Sequence, residues 1–111
     1  MKNQIIGQTV TVTVDRPLGS RHPEHPDIFY PVNYGYINVI ASADGEAQDA
    51  YIFGIYRPLR EFTGQITAII HRRNDVEDKW VITPKGLFLS IDDIIKQTAF
   101  QEKFFDTEII I

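Results

Sequence analysis

The chain has 111 residues, of which 43% are hydrophobic and 12% aromatic, and it contains no cysteine. This length and composition predict a single globular domain over residues 1–111 and exclude disulfide bonds and thiolate metal sites. The net charge of −4 argues against a nucleic-acid partner, whose phosphates need Lys and Arg. Because the sequence lacks cysteine, an apolar membrane span and a signal-peptide pattern, we expect a cytoplasmic protein with no membrane partner.

Five short strands are predicted along the chain. Residues 8–14, Q-T-V-T-V-T-V, alternate between polar and β-branched residues, as a half-buried strand does. After a loop rich in Pro, the remaining strands are expected at 34–41, 49–56, 65–71 and 79–83.

A helix is predicted after the last of these strands. Ser90 begins it, with Asp93 three residues later as in a variant of the capping box. Its apolar face is expected to hold six residues, Ile91, Ile94, Ile95, Phe100, Phe104 and Phe105. The tail 108–111, E-I-I-I, is a closing strand or a frayed end. These elements predict a mainly β fold, a small five-stranded antiparallel barrel similar to the oligonucleotide/oligosaccharide-binding type with a C-terminal α-helix, or else a half-open sheet.

Three carboxylates, Asp44, Glu46 and Asp49, lie within six residues on a turn that contains Gly45. Mg²⁺ binds oxygen ligands, usually one or two carboxylates together with water and substrate phosphate. A hairpin turn also favours Asp and Gly for backbone reasons, so the turn alone supports either interpretation. Asp49 favours the metal site, because a carboxylate beside the apolar run A-Y-I-F needs a partner.

Tyrosines are concentrated just upstream, where Tyr30, Tyr34 and Tyr36 flank Pro31 and Gly35. Tyrosine combines a rigid apolar ring with a hydroxyl that can donate to a phosphate oxygen. Each tyrosine taken singly is more typical of packing at a strand entrance. The order and spacing of the tyrosines and the acidic turn are more specific than either feature alone.

Together these segments resemble the soluble, magnesium-dependent inorganic pyrophosphatases of the single-barrel type. Y-P-V-N-Y-G-Y-I and D-G-E-A-Q-D are similar to that family's Y-P-x-x-Y-G-Y/F-I and D-G-D-P-x-D-x. Upstream, V-D-R-P-L-G-S-R resembles I-E-x-P-x-G-S-R, and downstream N-D-V-E-D-K-W resembles a loop with a carboxylate pair and a lysine. The chain differs in having Glu46 and Ala47 where the family has Asp and Pro. It also lacks the K-Y-E segment and the Tyr-Lys pair after the helix, so it looks like a short, divergent member.

The resemblance implies hydrolysis of inorganic pyrophosphate, or of a related phosphoanhydride, with Mg²⁺ or Mn²⁺ as cofactor. The implied metal ligands are Asp15, Asp44, Asp49, Asp75 and Glu77, with Asp78 as the alternative to Glu77. The implied catalytic residues are Tyr34, Glu46, Asp49 and Lys79, of which Glu46 would orient or deprotonate the attacking water. The implied substrate-binding residues are Arg16, Arg21, Tyr30, Tyr34 and Lys79. The family commonly forms oligomers, so a homo-oligomer is expected.

The missing lysines favour an alternative, in which a weak or inactive pyrophosphatase-like domain binds a phosphorylated small molecule. The three histidines are read as surface residues rather than as zinc ligands. His22 and His25 are nevertheless candidates to replace a lost phosphate contact. The run His71–Arg73 is read as a solvated strand end that adds some attraction for anions.

Overall fold

The computed structural model describes residues 5–41, 47–74 and 77–111, with the backbone alone for 38–41. Its elements follow the chain as β1 (Thr9–Arg16), β2 (Asn33–Ala41), β3 (Ala47–Ile52), β4 (Glu61–Arg72), β5 (Asp78–Thr83), α1 (Ile91–Glu102) and β6 (Thr107–Ile110). The strands pair in the order β1-β2-β3-β5-β4-β6, and an additional β1–β4 pairing closes a five-stranded barrel. The predicted mainly β barrel with a C-terminal helix is confirmed.

One pair in the barrel differs from the all-antiparallel arrangement that we expected. β3 and β5 run parallel, with Ala50 opposite Trp80 and Ile52 opposite Ile82. The other four pairs that close the barrel are antiparallel. The reason is geometric, because strand direction cannot alternate all the way round a ring with an odd number of members. A closed five-stranded barrel therefore needs a parallel pair.

The C-terminal tail forms the closing strand that was one of its two expected outcomes. β6 pairs antiparallel with the second half of β4, so that Ile69 lies opposite Ile110 and Arg72 opposite Thr107. The first half of β4 pairs with β1 from Glu61 to Gln65. Because β4 is 12 residues long, β1 can pair with its first half and β6 with its second half.

Two apolar clusters follow from the alternation of side chains along the strands. The inner cluster draws on all five barrel strands and contains Val10, Val12, Ile37, Ala50, Ile52, Ile66, Ile69, Trp80 and Ile82. The outer cluster lies between the outside of the barrel and α1 and contains Tyr30, Val32, Tyr34, Tyr51, Phe53, Ala68, Ile70, Val81 and Ile94. Side chains at the edge of the outer cluster are therefore placed to form a site on the barrel surface.

The helix begins where the sequence predicts, but the face that it buries is only partly the expected one. Ser90 Oγ accepts a hydrogen bond from the Asp93 backbone N–H at 3.1 Å, which confirms the N-cap. The helix ends at Glu102, so Phe104 and Phe105 lie beyond it. The buried positions of the helix are Ile94, Thr98, Gln101 and Glu102. The expected apolar face is confirmed at Ile94 and Phe100, which pack in or against the outer cluster, but Ile91 and Ile95 are exposed. The buried Gln101 and Glu102 have polar partners on the barrel. In the part of the chain that the structure describes, we find no helix with the length and apolar character needed to span a membrane.

A β-bulge near the end of β1 sets the direction of two consecutive side chains. The β1–β2 register passes from Val14 opposite Gly35 to Arg16 opposite Tyr34, which leaves Asp15 as the extra residue. A Cβ added to Gly35 would overlap the carbonyl oxygen of Thr13, so the close approach of β1 and β2 here requires glycine. In a regular strand Asp15 and Arg16 would point to opposite faces, but the bulge lets both face one cavity.

Candidate active site

A cavity of about 610 Å³ lies on the outside of the barrel, beside the outer apolar cluster. The barrel strands line it with Asp15, Arg16, Tyr34, Asp49, Arg72 and Lys79. The β1–β2 connection and the segment around the helix end line it with His22, His25, Asp27, Ile28, Gln101, Phe104 and Phe105. All five barrel strands thus contribute a polar side chain to one concave surface.

Lys79 is the central cation of the charged part of this cavity. Its ammonium donates to Asp49 Oδ2 at 2.5 Å and to Glu77 Oε2 at 2.7 Å. The Lys79 side chain is only 4% exposed, whereas Asp49 and Glu77 are 35% and 31% exposed. The two carboxylates therefore neutralise a buried ammonium and still reach solvent.

Glu77 and Asp78, which the sequence left as alternative metal ligands, have different partners in the structure. Glu77 contacts Lys79, whereas Asp78 pairs with His71 through a 2.7 Å contact on the neighbouring strand. Successive side chains of a strand point to opposite faces, so Glu77 and Lys79 share a face that Asp78 does not. Glu77 is therefore the carboxylate of this pair that the fold places beside Asp49 and Lys79.

Tyr34 points its hydroxyl at the same cluster. Burial raises the pKa of Tyr34 well above its ordinary value, and the charge and hydrogen bond of Asp49 raise it further. The hydroxyl consequently stays protonated and acts as a hydrogen-bond donor rather than as a base. The guanidinium carbon of Arg16 lies 5.5 Å from the centroid of the Tyr34 ring.

Asp15, placed by the bulge, adds a carboxylate at the mouth of the cavity. Although its side chain is exposed, partial loss of hydration raises the pKa of Asp15 above its usual value, and the Asp49 charge adds to this. The neighbouring Arg16 opposes the shift. A positive ligand between Asp15 and Asp49 would relieve the repulsion between them.

Arg72 is a cavity cation whose role the sequence did not predict. Its guanidinium donates two hydrogen bonds to Glu102, from Nε to Oε1 at 2.9 Å and from Nη2 to Oε2 at 2.8 Å. Its Nη1 lies 3.6 Å from Glu77 Oε2, and its guanidinium carbon lies 3.6 Å from the centroid of the Phe105 ring. Burial disfavours the charge of Arg72, but the bonds and charge of Glu102 outweigh burial and raise its pKa.

A chain of buried hydrogen bonds connects Arg72 with Arg16 behind the cavity. Tyr51 donates to Glu102 Oε2, and Gln101 Nε2 donates to the Tyr51 hydroxyl, both at 2.7 Å. Tyr30 donates to Gln101 Oε1 at 2.7 Å and accepts from Arg16 Nη1 at 2.6 Å. The sequence signal for these hydrogen bonds was the position of Gln101 and Glu102, which follow Ile94 by seven and eight residues on the same side of the helix.

Two of the predicted substrate-binding residues, Tyr30 and Arg21, do not line the cavity. Tyr30 is fully buried, and its hydroxyl supports Arg16 instead of facing the cavity. Arg21 donates to the carbonyl oxygen of Pro26 at 2.8 Å and lies over the ring of Phe29, outside the cavity lining. The structure thus brings together Arg16, Tyr34 and Lys79 from the predicted substrate residues, but not Arg21.

The predicted metal ligands fall into two groups. Asp44 and Asp75 lie outside the described residues, as does Glu46, the predicted catalytic residue. Within the ranges that are described, no three His, Asp or Glu side chains gather as a metal site. Asp49 and Glu77 also line a second, smaller cavity of about 370 Å³. The carboxylates of Asp15, Asp49 and Glu77 fit a hard cation such as Mg²⁺ in donor chemistry, and the second cavity offers space beside two of them.

Comparisons with known proteins support the fold but give no match at the level of sequence. No family model matches the chain, and no curated protein matches it. A solved inorganic pyrophosphatase from Ehrlichia chaffeensis has a TM-score of 0.70 at 13% identity, over 93% of this chain and 85% of that one. An inorganic pyrophosphatase from Neisseria gonorrhoeae has a TM-score of 0.60 at 21% identity, over 94% and 78%. One from Coxiella burnetii has a TM-score of 0.62 at 14% identity, over 92% and 83%. The chain therefore has a fold similar to that of these inorganic pyrophosphatases.

Proposed function

We propose that this protein hydrolyses inorganic pyrophosphate, or a related phosphoanhydride, in a Mg²⁺-dependent reaction. The observation that carries the proposal is the cluster in which Lys79 joins Asp49 and Glu77 beside the Tyr34 hydroxyl. Solvent-accessible carboxylates, a buried ammonium and a neutral phenol in one cluster are the groups that phosphoryl transfer needs for positioning and charge stabilisation. The likeness of the fold to inorganic pyrophosphatases supports the same reaction.

The residues of this chain divide the work by charge. Asp15, Asp49 and Glu77, together with Asp44 and Asp75, would hold Mg²⁺ or Mn²⁺. The metal would neutralise phosphate charge and lower the pKa of a bound water. Glu46 is predicted to orient or deprotonate that water.

The cations and the phenol would bind the phosphate groups. Lys79 has three ammonium hydrogens and uses two for its carboxylates, so one is left for a phosphate oxygen. Tyr34 would donate its hydroxyl proton, and Arg16 would add a guanidinium from β1. Arg72, held by Glu102, is the cation that we add to this set in place of the missing lysines.

The proposal is tested by measuring phosphate release from pyrophosphate with Mg²⁺, with Mn²⁺ and with excess chelator. We expect release that requires the metal and falls by about 100-fold or more in Asp49→Asn, which removes a charge from the site. Asp106→Asn is the matched control, because Asp106 is 61% exposed and pairs with Arg73 on the surface. No release by the wild type with either metal between pH 6 and 9, or full activity of Asp49→Asn, would contradict the proposal.

A second function, ligand binding without turnover, is favoured by one feature of the site. Both Arg72 and Lys79 are already held by carboxylates, which leaves fewer donors for a highly charged substrate. In that case pyrophosphate would raise the unfolding temperature of the protein while no phosphate is released.

Two properties of the protein remain predictions that do not depend on the site geometry. A cytoplasmic location follows from the cysteine-free composition. A homo-oligomer follows from the family resemblance, and sedimentation of the purified protein would test it.

A further inference from the structure

The cavity has two parts with different chemistry. The strand side carries Asp15, Arg16, Asp49, Arg72 and Lys79 and suits phosphate and metal. The β1–β2 connection and the segment after the helix contribute imidazole, phenyl and aliphatic side chains and one carboxylate, from His22, His25, Ile28, Phe104, Phe105 and Asp27. The same cavity therefore offers an aromatic and apolar surface, which we call its aromatic side, next to its charged groups.

The volume of the cavity exceeds what pyrophosphate requires. Pyrophosphate has nine non-hydrogen atoms, and at the ~30 Å³ that a water molecule occupies in the liquid they take about 270 Å³. The cavity of about 610 Å³ is more than twice that size. Ligand pockets of roughly 300–1,000 Å³ enclose organic molecules of drug size. Metal ions would lie among the carboxylates of the strand side, so they leave the aromatic side open.

Phe104 provides an exposed aromatic surface on this side. Its side chain is 61% exposed, and the Lys103 ammonium lies 5.3 Å from its ring centroid. Phe105, in contrast, is already covered by the guanidinium of Arg72. The rings of His22 and His25, whose centroids are 5.0 Å apart, line the same cavity. Tyr56 and Phe88 are even more exposed but lie outside the cavity lining, so the position of Phe104 rather than its exposure is informative.

We propose that the same site also takes a nucleoside diphosphate or triphosphate whose base stacks on Phe104. This inference rests on the proposed function, because the phosphoanhydride is assigned to the same charged side. The imidazoles of His22 and His25 would border the base, and the Asp27 carboxylate would accept hydrogen bonds from ribose hydroxyls or an exocyclic amine. Hydrolysis of the terminal anhydride adds one water, breaks one P–O bond and releases phosphate together with the shortened nucleotide.

The test compares three substrates with Mg²⁺: ADP, methyl diphosphate and pyrophosphate. Methyl diphosphate keeps the esterified anhydride of ADP but lacks ribose and base. We expect kcat/KM for ADP to exceed that for methyl diphosphate by about tenfold, and Phe104→Ala to lower this ratio by about fivefold or more, because base–aromatic stacking is lost. Phe104→Trp should retain the ratio. Phe88→Ala is the matched control, since Phe88 is 73% exposed and outside the cavity, and it should leave all three rates unchanged.

The outcomes separate this inference from the proposed function. If pyrophosphate is hydrolysed but ADP and methyl diphosphate are used equally, or Phe104→Ala leaves their ratio within twofold, the stacking inference is wrong and the proposed function stands. If no substrate is hydrolysed, the proposed function fails, and the rise in unfolding temperature with each ligand decides the inference. A larger rise with ADP than with methyl diphosphate that disappears in Phe104→Ala would support it. Equal rises would overturn it.

Discussion

Lys79 is a buried lysine next to the apolar run W-V-I of β5, and its environment explains why it is tolerated there. A buried ammonium is costly unless it is paired and hydrogen-bonded. Asp49 and Glu77 supply both requirements, and the Tyr34 ring centroid lies 5.8 Å from the ammonium. Each carboxylate also reaches solvent. Lys79 therefore holds the cluster together and lies beside the surface where a ligand would bind.

Replacing Lys79 with methionine tests this double role. We expect phosphate release from pyrophosphate to fall by about 100-fold or more, because the phosphate loses a charged donor. We also expect the free energy of unfolding to drop by about 1–3 kcal/mol, because Asp49 and Glu77 then face each other without their cation. Phosphate assays and urea unfolding measure the two effects.

The control for Lys79→Met is Arg73→Met. Arg73 and Asp106 form an ion pair in which the side chains are 52% and 61% exposed. Such surface pairs contribute about 0–1 kcal/mol, so the control variant should change stability little and activity not at all. Wild-type activity in Lys79→Met would contradict the role assigned to this residue.

The helix is joined to the barrel by polar contacts at its C-terminal end as well as by apolar contacts. Ile94 packs in the outer apolar cluster near the helix start, whereas Gln101 and Glu102 bind barrel side chains at its end. The Arg72–Glu102 pair is almost fully buried, with side chains 6% and 5% exposed. The helix position therefore fixes the orientation of a guanidinium that lines the cavity.

A double-mutant cycle on Arg72 and Glu102 measures this attachment. Glu102→Leu should lower the free energy of unfolding by about 3 kcal/mol, because it removes the main counter-charge of the buried Arg72 guanidinium. The double variant Arg72→Met, Glu102→Leu should lose much less than the sum of its single variants, because neither charge remains. Urea unfolding gives all four values. Additive effects would show that the two residues do not act as a pair.

Considered as a whole, the barrel follows from patterns that the sequence displays directly. Alternation and turn residues locate β1, β2, β4 and β5, and Ser90 locates the helix start. The parallel β3–β5 pair, and the succession of β1 and β6 along β4, depend on how the sheet closes, which no local pattern records. For the candidate site, the family resemblance pointed to Tyr34, Asp49 and Lys79, which the fold brings to one cavity. It did not identify Arg72, because a strand-end arginine acquires its role only when a distant glutamate packs against it.

The ionisation of two buried tyrosines makes the stability of the whole molecule sensitive to alkaline pH. Tyr51 is fully buried and Tyr34 is 5% exposed. Burial raises the pKa of both well above the ordinary value of 10.0, and the charges of Glu102 and Asp49 respectively add to the shift. The folded state thus holds these protons more tightly than the unfolded chain. Their contribution to stability is complete below the unfolded pKa and is lost as pH rises through the folded pKa.

We therefore expect unfolding to become easier above about pH 10, with Tyr34 and Tyr51 ionising only as the fold opens. Absorbance at 295 nm, followed together with circular dichroism, should show a late phase of tyrosinate formation that coincides with loss of structure. Tyr51→Phe should reduce the amplitude of this phase by about one tyrosine and move the transition to higher pH, because one of the linked protons is gone. If all the tyrosines ionise while the circular dichroism of the folded protein persists, the phenols are not protected as the structure indicates. A late phase that Tyr51→Phe leaves unchanged would show that the linkage lies with other tyrosines.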